Sequence, residues 1–155
     1  MRNLLTFVIL CLTSSPQTYA QKSRRPASHP GIASVSYCDL IRHPQRFNHK
    51  VVRVKGSLFG GMEVSALEDF GCDNDRSVWV EFVHSYKDCT PNEVYASFRN
   101  TFHPPSDSEA FGPHRAEIVA IGKFEVAKRF KTQKGFGHLG GYPYRLTVKC
   151  LEQVQ

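Results

Sequence analysis

The residues best suited to chemistry lie between positions 123 and 144. Lys123, Lys128, Arg129, Lys131 and Lys134 are interleaved there with Phe124, Phe130, Phe136, Tyr142 and Tyr144, and His138 stands among them. Aromatic rings stack on bases, and cations follow a phosphate backbone; sugars offer a ring similar faces. The candidate ligand residues are therefore Lys123, Lys128, Arg129, Phe130, Lys131, Lys134, Phe136, His138 and Tyr142. A plainer use of the same segment competes, with Phe124 and Tyr144 in a core and the lysines solvating a hairpin. The glycine-rich run 135–141 is not a phosphate loop, because it lacks the lysine and Ser/Thr that such a loop needs. A conformationally demanding turn explains it better.

Other constellations are weaker. Arg42, His43, Arg46, His49, Lys50, Arg53 and Lys55 form a second basic cluster. Arg53 and Lys55 share one strand face, where they could hold an anion or simply meet water. His84, His103, His114 and His138 have no partner at metal-ligand spacing, and the chain has no CxxC, HxxxH or HExxH. Glu63, Glu68, Asp69 and Glu81 could supply a carboxylate pair, but glycoside hydrolysis needs two held about 5–10 Å apart in a cleft. No serine lies in a G-x-S-x-G elbow. Trp79 is a sugar platform or, as its neighbours Val78 and Val80 suggest, a sheet residue covered by a helix or loop. These patterns point to binding rather than catalysis, with no metal or cofactor.

The compartment decides how the cysteines are read. Met1 and Arg2 precede an apolar run over 4–12, and in Thr18-Tyr19-Ala20 the outer two offer small residues at a peptidase site. That is the form of a cleavable secretory leader, residues 1–20. Cleavage would leave 135 residues with a net charge of +5, since Arg2 is the leader's single charge. No later apolar run approaches the roughly 18 residues of a membrane span. The expected location is periplasmic or extracellular. Cys38, Cys72, Cys89 and Cys150 remain, an even number that reads as two disulfides in an exported chain. Three connectivities are open; the strand pattern favours Cys72–Cys89 with Cys38–Cys150.

The elements that must position these residues follow from periodicity. Residues 21–33, with Lys22, Arg24, Arg25, Pro26 and Pro30, read as a flexible linker ahead of one domain over 34–155. Ser36 and Asp39 form a capping box for a short helix that Pro44 ends. Alternation predicts strands over 51–58, 62–67, 77–84, 115–126 and 142–151, with Gly60-Gly61 turning the first hairpin. Thr90-Pro91-Asn92-Glu93 predicts a capped helix running to about Arg99. Five strands with a helix between the third and fourth is the layout of an OB-fold, a five-stranded Greek-key barrel. The runner-up is another small barrel or sandwich.

Residues Tyr37-Cys38-Asp39-Leu40, His43-Pro44 and 47–56 (Phe-Asn-His-Lys-Val-Val-Arg-Val-Lys-Gly), with the later 135–142 run, resemble small exported bacterial proteins of unknown function. The resemblance covers most of 35–154 and implies an OB-fold-like exported domain. It carries no catalytic residues. The function expected is recognition of an extracytoplasmic polyanion, glycan or protein through a basic and aromatic barrel face, with nucleic acid less favoured than an envelope polymer. A structural or assembly role in the cell envelope, by protein–protein contact, is the alternative.

Overall fold

The computed structural model of the chain describes residues 31–61, 63–72, 76–103, 113–128 and 135–155. The expected leader, most of the expected linker, and Arg129, Phe130, Lys131 and Lys134 of the candidate ligand set lie outside the described residues. The described chain is mostly sheet, with six strands and four short α-helices. In order these are β1 (Ser34–Val35), α1 (Tyr37–Arg42), α2 (Pro44–Phe47), β2 (Val51–Gly60), β3 (Ser65–Glu68), β4 (Val78–Phe82), α3 (Tyr86–Cys89), α4 (Asn92–Phe102), β5 (His114–Val126) and β6 (Tyr144–Val154). No described helix is long and apolar enough to cross a membrane.

Local chemistry accounts for the first helix. Ser36 caps it by accepting from the Asp39 N–H at 3.0 Å, and its hydroxyl donates to the Asp39 carboxylate at 2.9 Å. The helix stops at His43, ahead of Pro44, as expected. Tyr37, Leu40 and Ile41 are buried against the sheet. The Tyr37 hydroxyl sits 2.9 Å from the Leu67 carbonyl and 2.8 Å from that of Arg76, donating to one at a time. Burial foremost, then the charges of Glu68 and Asp69, pushes its ionisation well above the usual tyrosine range. This neutral hydroxyl pins α1 to the strands beneath.

The strands form one mixed sheet in the order β1-β2-β3-β4-β6-β5, and β2 also pairs along its whole length with β5. The pairings thus run in a ring, β2–β3–β4–β6–β5 and back to β2. β1 runs parallel to β2, β4 runs parallel to β6, and the other neighbours are antiparallel. Val52, Val54, Leu58, Val78, Val80, Ile118, Ala120, Phe124, Tyr144, Leu146 and Val148 fill the inner face. These are the positions that alternation assigns to it. The first hairpin turns at 61–64, where the Gly61 N–H donates to the Val64 carbonyl at 2.8 Å. β3 therefore starts at Ser65 rather than at Met62.

The cysteines pair as Cys38–Cys72 and Cys89–Cys150, each with Cα atoms 5.5 Å apart. The expected Cys72–Cys89 and Cys38–Cys150 pairs are corrected for two reasons. Cys72 and Cys89 lie beyond opposite ends of β4, whose five extended residues alone span about 17 Å, out of reach of a bridge. The second reason is a bulge. Gly122 pairs with Val148, but Ile121 pairs with Cys150, so Lys149 is looped out. One extra residue inverts the faces beyond it. Cys150 therefore joins Ile121 on the outer face, under α3, where Cys89 meets it. Leu151 takes the inner position opposite Ala120.

A second correction concerns Thr90. It does not cap α4, whose first turn has no side-chain cap. Its buried hydroxyl instead donates to the Tyr86 carbonyl at 2.6 Å and accepts from the Leu151 N–H at 3.0 Å. It ties the end of α3 to β6 beside the Cys89–Cys150 bridge. Thr90→Val, which keeps the shape, is expected to cost about 1–3 kcal/mol by stranding the Leu151 N–H. The shift in the urea unfolding midpoint measures it.

Candidate functional site

Strand register assembles a row that no local pattern announces. Arg115 on β5 pairs with Phe59 on β2, and Phe59 with Ala66 on β3. Ala66 pairs with Trp79 on β4, Trp79 with Arg145 on β6, and Arg145 with Glu125, again on β5. Cross-strand partners share a face. These six residues therefore form one transverse band on the outer face of the sheet, in which Arg115 is exposed, Ala66 is buried and the other four are half-buried. Two arginines and two aromatic rings flank a small central residue.

Loop residues thicken the band at both ends. The Arg115 guanidinium carbon lies 4.6 Å from the Phe70 ring centroid and 5.6 Å from that of Phe59. Phe70 itself is 73% exposed. At the other end Arg145 lies 4.6 Å from the Phe136 ring, and Tyr142 packs on Trp79 with centroids 5.2 Å apart at 49°. Phe136 and Tyr142 bond to each other through both backbone amides, holding the 135–142 turn over β4. Gly137 is the closest point of that turn. Its φ is 71°, and a Cβ there would stand 2.5 Å from the Trp79 ring. His138, at the tip, lies 3.7 Å from Glu63 in the β2–β3 hairpin, so the two loops bracket the band.

The charges are internally matched. Arg145 donates to Glu125 at 2.7 Å and to Glu81 at 3.2 Å, while Lys123 donates to Glu125 at 3.0 Å. The Trp79 indole donates to Glu81 at 3.2 Å. Arg115 lies 3.4 Å from Glu68. Burial alone would raise the Glu125 carboxyl, but the hydrogen bonds from Lys123 and Arg145 outweigh it and hold it below the usual range. Three cations, Arg115, Lys123 and Arg145, thus face three carboxylates, Glu68, Glu81 and Glu125. Among the described residues, such a face offers rings and fixed hydrogen-bonding groups rather than free positive charge.

Of the residues singled out from sequence, the described ones divide. Phe136 and Tyr142 sit at the band, half-buried. Lys123 joins its ion pairs, His138 bounds it, and Lys128 is exposed where β5 ends. Phe124 and Tyr144 are core residues, stacked with centroids 5.6 Å apart. Of the second basic cluster, Arg53 makes a two-pronged bond to Glu152 at 2.8 and 2.9 Å, and Lys55 lies 3.9 Å from Glu117. Those side chains serve the sheet. The residues missed were Phe59, Phe70, Arg115 and Arg145. Parity along each strand puts Arg115 and Arg145 outside, but only register brings them into one line.

Cys38, Cys72 and Asp69 approach within 4.8 Å of one another, a grouping able to bind a metal only with the disulfide reduced. No family model matches the chain, and comparisons with curated proteins and with solved structures find no significant match.

Proposed function

We propose that the chain is an exported, non-catalytic binding domain that takes an oligosaccharide on the outer band of an OB-type barrel. Several features support the barrel reading. They are the ring of pairings, the parallel contact of β4 with β6, and a helix between β4 and β5, all of which suit an OB layout. In that layout the ligand lies on the second and third barrel strands, here β3 and β4, between the loops that the 61–64 turn and the 127–143 connection would be. The contact of His138 with Glu63 joins those two loops. The apolar leader, the paired cysteines and the likeness to small exported bacterial proteins support the location.

The observation that carries the ligand class is the band Arg115–Phe59–Ala66–Trp79–Arg145–Glu125. The half-buried Phe59 and Trp79 rings and the exposed Phe70 ring supply apolar contact surface, and the compensated charges of the described residues leave hydrogen-bonding groups without excess potential. That combination suits the apolar faces and hydroxyls of a neutral sugar better than a polyanion. Trp79 is the chain's single tryptophan, so its fluorescence reads the site directly. Titration with a neutral oligosaccharide such as chitohexaose is expected to shift Trp79 emission. Trp79→Ala is expected to weaken binding, followed calorimetrically, by roughly ten- to a hundredfold, the worth of a lost stacking platform. The opposite outcome is retention on heparin that falls with salt and vanishes in Lys128→Glu with Lys131→Glu, without any response to the neutral sugar. It would replace this ligand by a polyanion.

A second reading, assembly with an envelope protein, is favoured by Leu139. This large apolar residue is 86% exposed and has a φ of 57°, a conformation its side chain disfavours. A partner captured from native envelope that resists high salt and is lost in Leu139→Ser would support that reading.

A further inference from the structure

A cavity of about 520 Å³ lies where α4 meets the sheet, lined by the Gly60, Ser65 and His114 row next to the band. Leu58, Val64, Phe82, Phe98 and Phe102 supply its apolar wall, and the imidazole of His114 forms part of it. The rings are mutually packed, Phe98 against Phe102 at 4.9 Å and against Phe82 at 5.1 Å. Gly60 keeps the wall in place. A Cβ there would come within 2.7 Å of the Phe102 ring, so the strand can approach α4 only as glycine. The volume falls in the range of small-molecule sites, which are typically apolar with a few placed polar atoms.

One polar atom here is unaccounted for. His114 Nε2 is buried and has no hydrogen-bond partner among the described residues. Buried polar atoms are normally satisfied, and each exception asks for an explanation. The described ionisable groups lining the cavity are His103, His114 and Tyr86, with no carboxylate. Burial foremost, then Tyr95, raises the Tyr86 hydroxyl, so it stays neutral. Among the described residues, an anionic head group would therefore meet imidazoles and no carboxylate.

We infer that this cavity binds an apolar monocarboxylic acid. Its chain lies among Leu58, Phe82, Phe98 and Phe102, and its carboxylate accepts from His114 Nε2. This site is independent of the outer band and of the sugar proposed there.

Decanoate and decanol, titrated calorimetrically into the full chain, test it. Decanoate is expected to bind one to one, about tenfold more tightly than decanol, because hydrogen bonds to a charged group are the stronger ones. His114→Phe keeps the ring and removes the nitrogen. It is expected to weaken decanoate about tenfold and decanol, whose hydroxyl makes only a neutral hydrogen bond, by clearly less. Val64→Trp fills the cavity and is expected to abolish both. Binding of decanoate that survives Val64→Trp, or that His114→Phe leaves intact, overturns the inference, as does the absence of binding at millimolar concentration. If Val64→Trp proves misfolded, nuclear Overhauser contacts in the unaltered chain decide. Contacts from the decanoate methyl to the Phe98 and Phe102 rings support the site, and contacts elsewhere alone overturn it.

Discussion

Replacing Cys89 and Cys150 together by alanine is expected to lower the free energy of unfolding by about 4 kcal/mol. The bridge spans 61 residues, and closing a loop of that length removes much of the freedom of the unfolded chain. Cys38–Cys72, spanning 34, is expected to contribute a similar though smaller amount. Domains of this size are stable by only about 5–15 kcal/mol, so either loss is a large fraction of the total. Urea unfolding of the double variant in oxidising buffer measures the effect. Peptide mapping without reduction tests the pairing that underlies it. A peptide joining Cys72 to Cys89 would contradict both the bulge at Lys149 and the stability ranking drawn from it.

Gly137→Ala is expected to have the largest effect on the outer band. At φ 71° and ψ −168° the residue occupies a region that is essentially glycine's alone, and an alanine there costs roughly 1–3 kcal/mol. The added methyl would also stand 2.5 Å from Trp79 and 3.0 Å from Tyr142. Two ring systems and a turn held by paired backbone bonds cannot all keep their places. The turn is expected to lift, Trp79 to become wetter, and its emission to move to the red. The neutral-sugar affinity proposed for the band should fall by about tenfold or more, the scale of one lost stacking contact. The core rests on other residues, so where the turn lifts and relieves the strain the global unfolding midpoint should fall by less than that full cost implies. An unchanged emission maximum in a folded Gly137→Ala protein would mean that the turn does not define the Trp79 surface.

Much of the frame was legible from periodicity. Val52, Val54 and Leu58, or Val78 and Val80, alternate cleanly because one strand face meets the core and the other does not. The Ser36 cap was legible because its partner is three residues away. What failed depended on distant partners. The bulge at Lys149 leaves the sequence looking like continued alternation, and only the pairing with β5 reveals that Cys150 has changed sides. Thr90 has the local form of a cap, but Leu151, 61 residues on, competes for its hydroxyl and wins. The candidate site was half legible. Phe136 and Tyr142 stood out by composition, whereas Phe59, Phe70, Arg115 and Arg145 are scattered along the chain and are gathered only by register.

The two-residue strand β1 has a consequence beyond its size. β3 pairs only with 57–60 of β2, so the first half of that strand would present bare amides and carbonyls on one side. β1 lies along that stretch, opposite Arg53 and Val54, and Ala33 accepts from the Arg53 N–H at 3.0 Å. An unpaired edge is a template for another chain. The short segment 33–35 is thus an edge guard. Trimming the chain past Val35 would take that one side chain out of the core and expose a strand to self-association, so the boundary chosen for an expressed fragment governs its solubility.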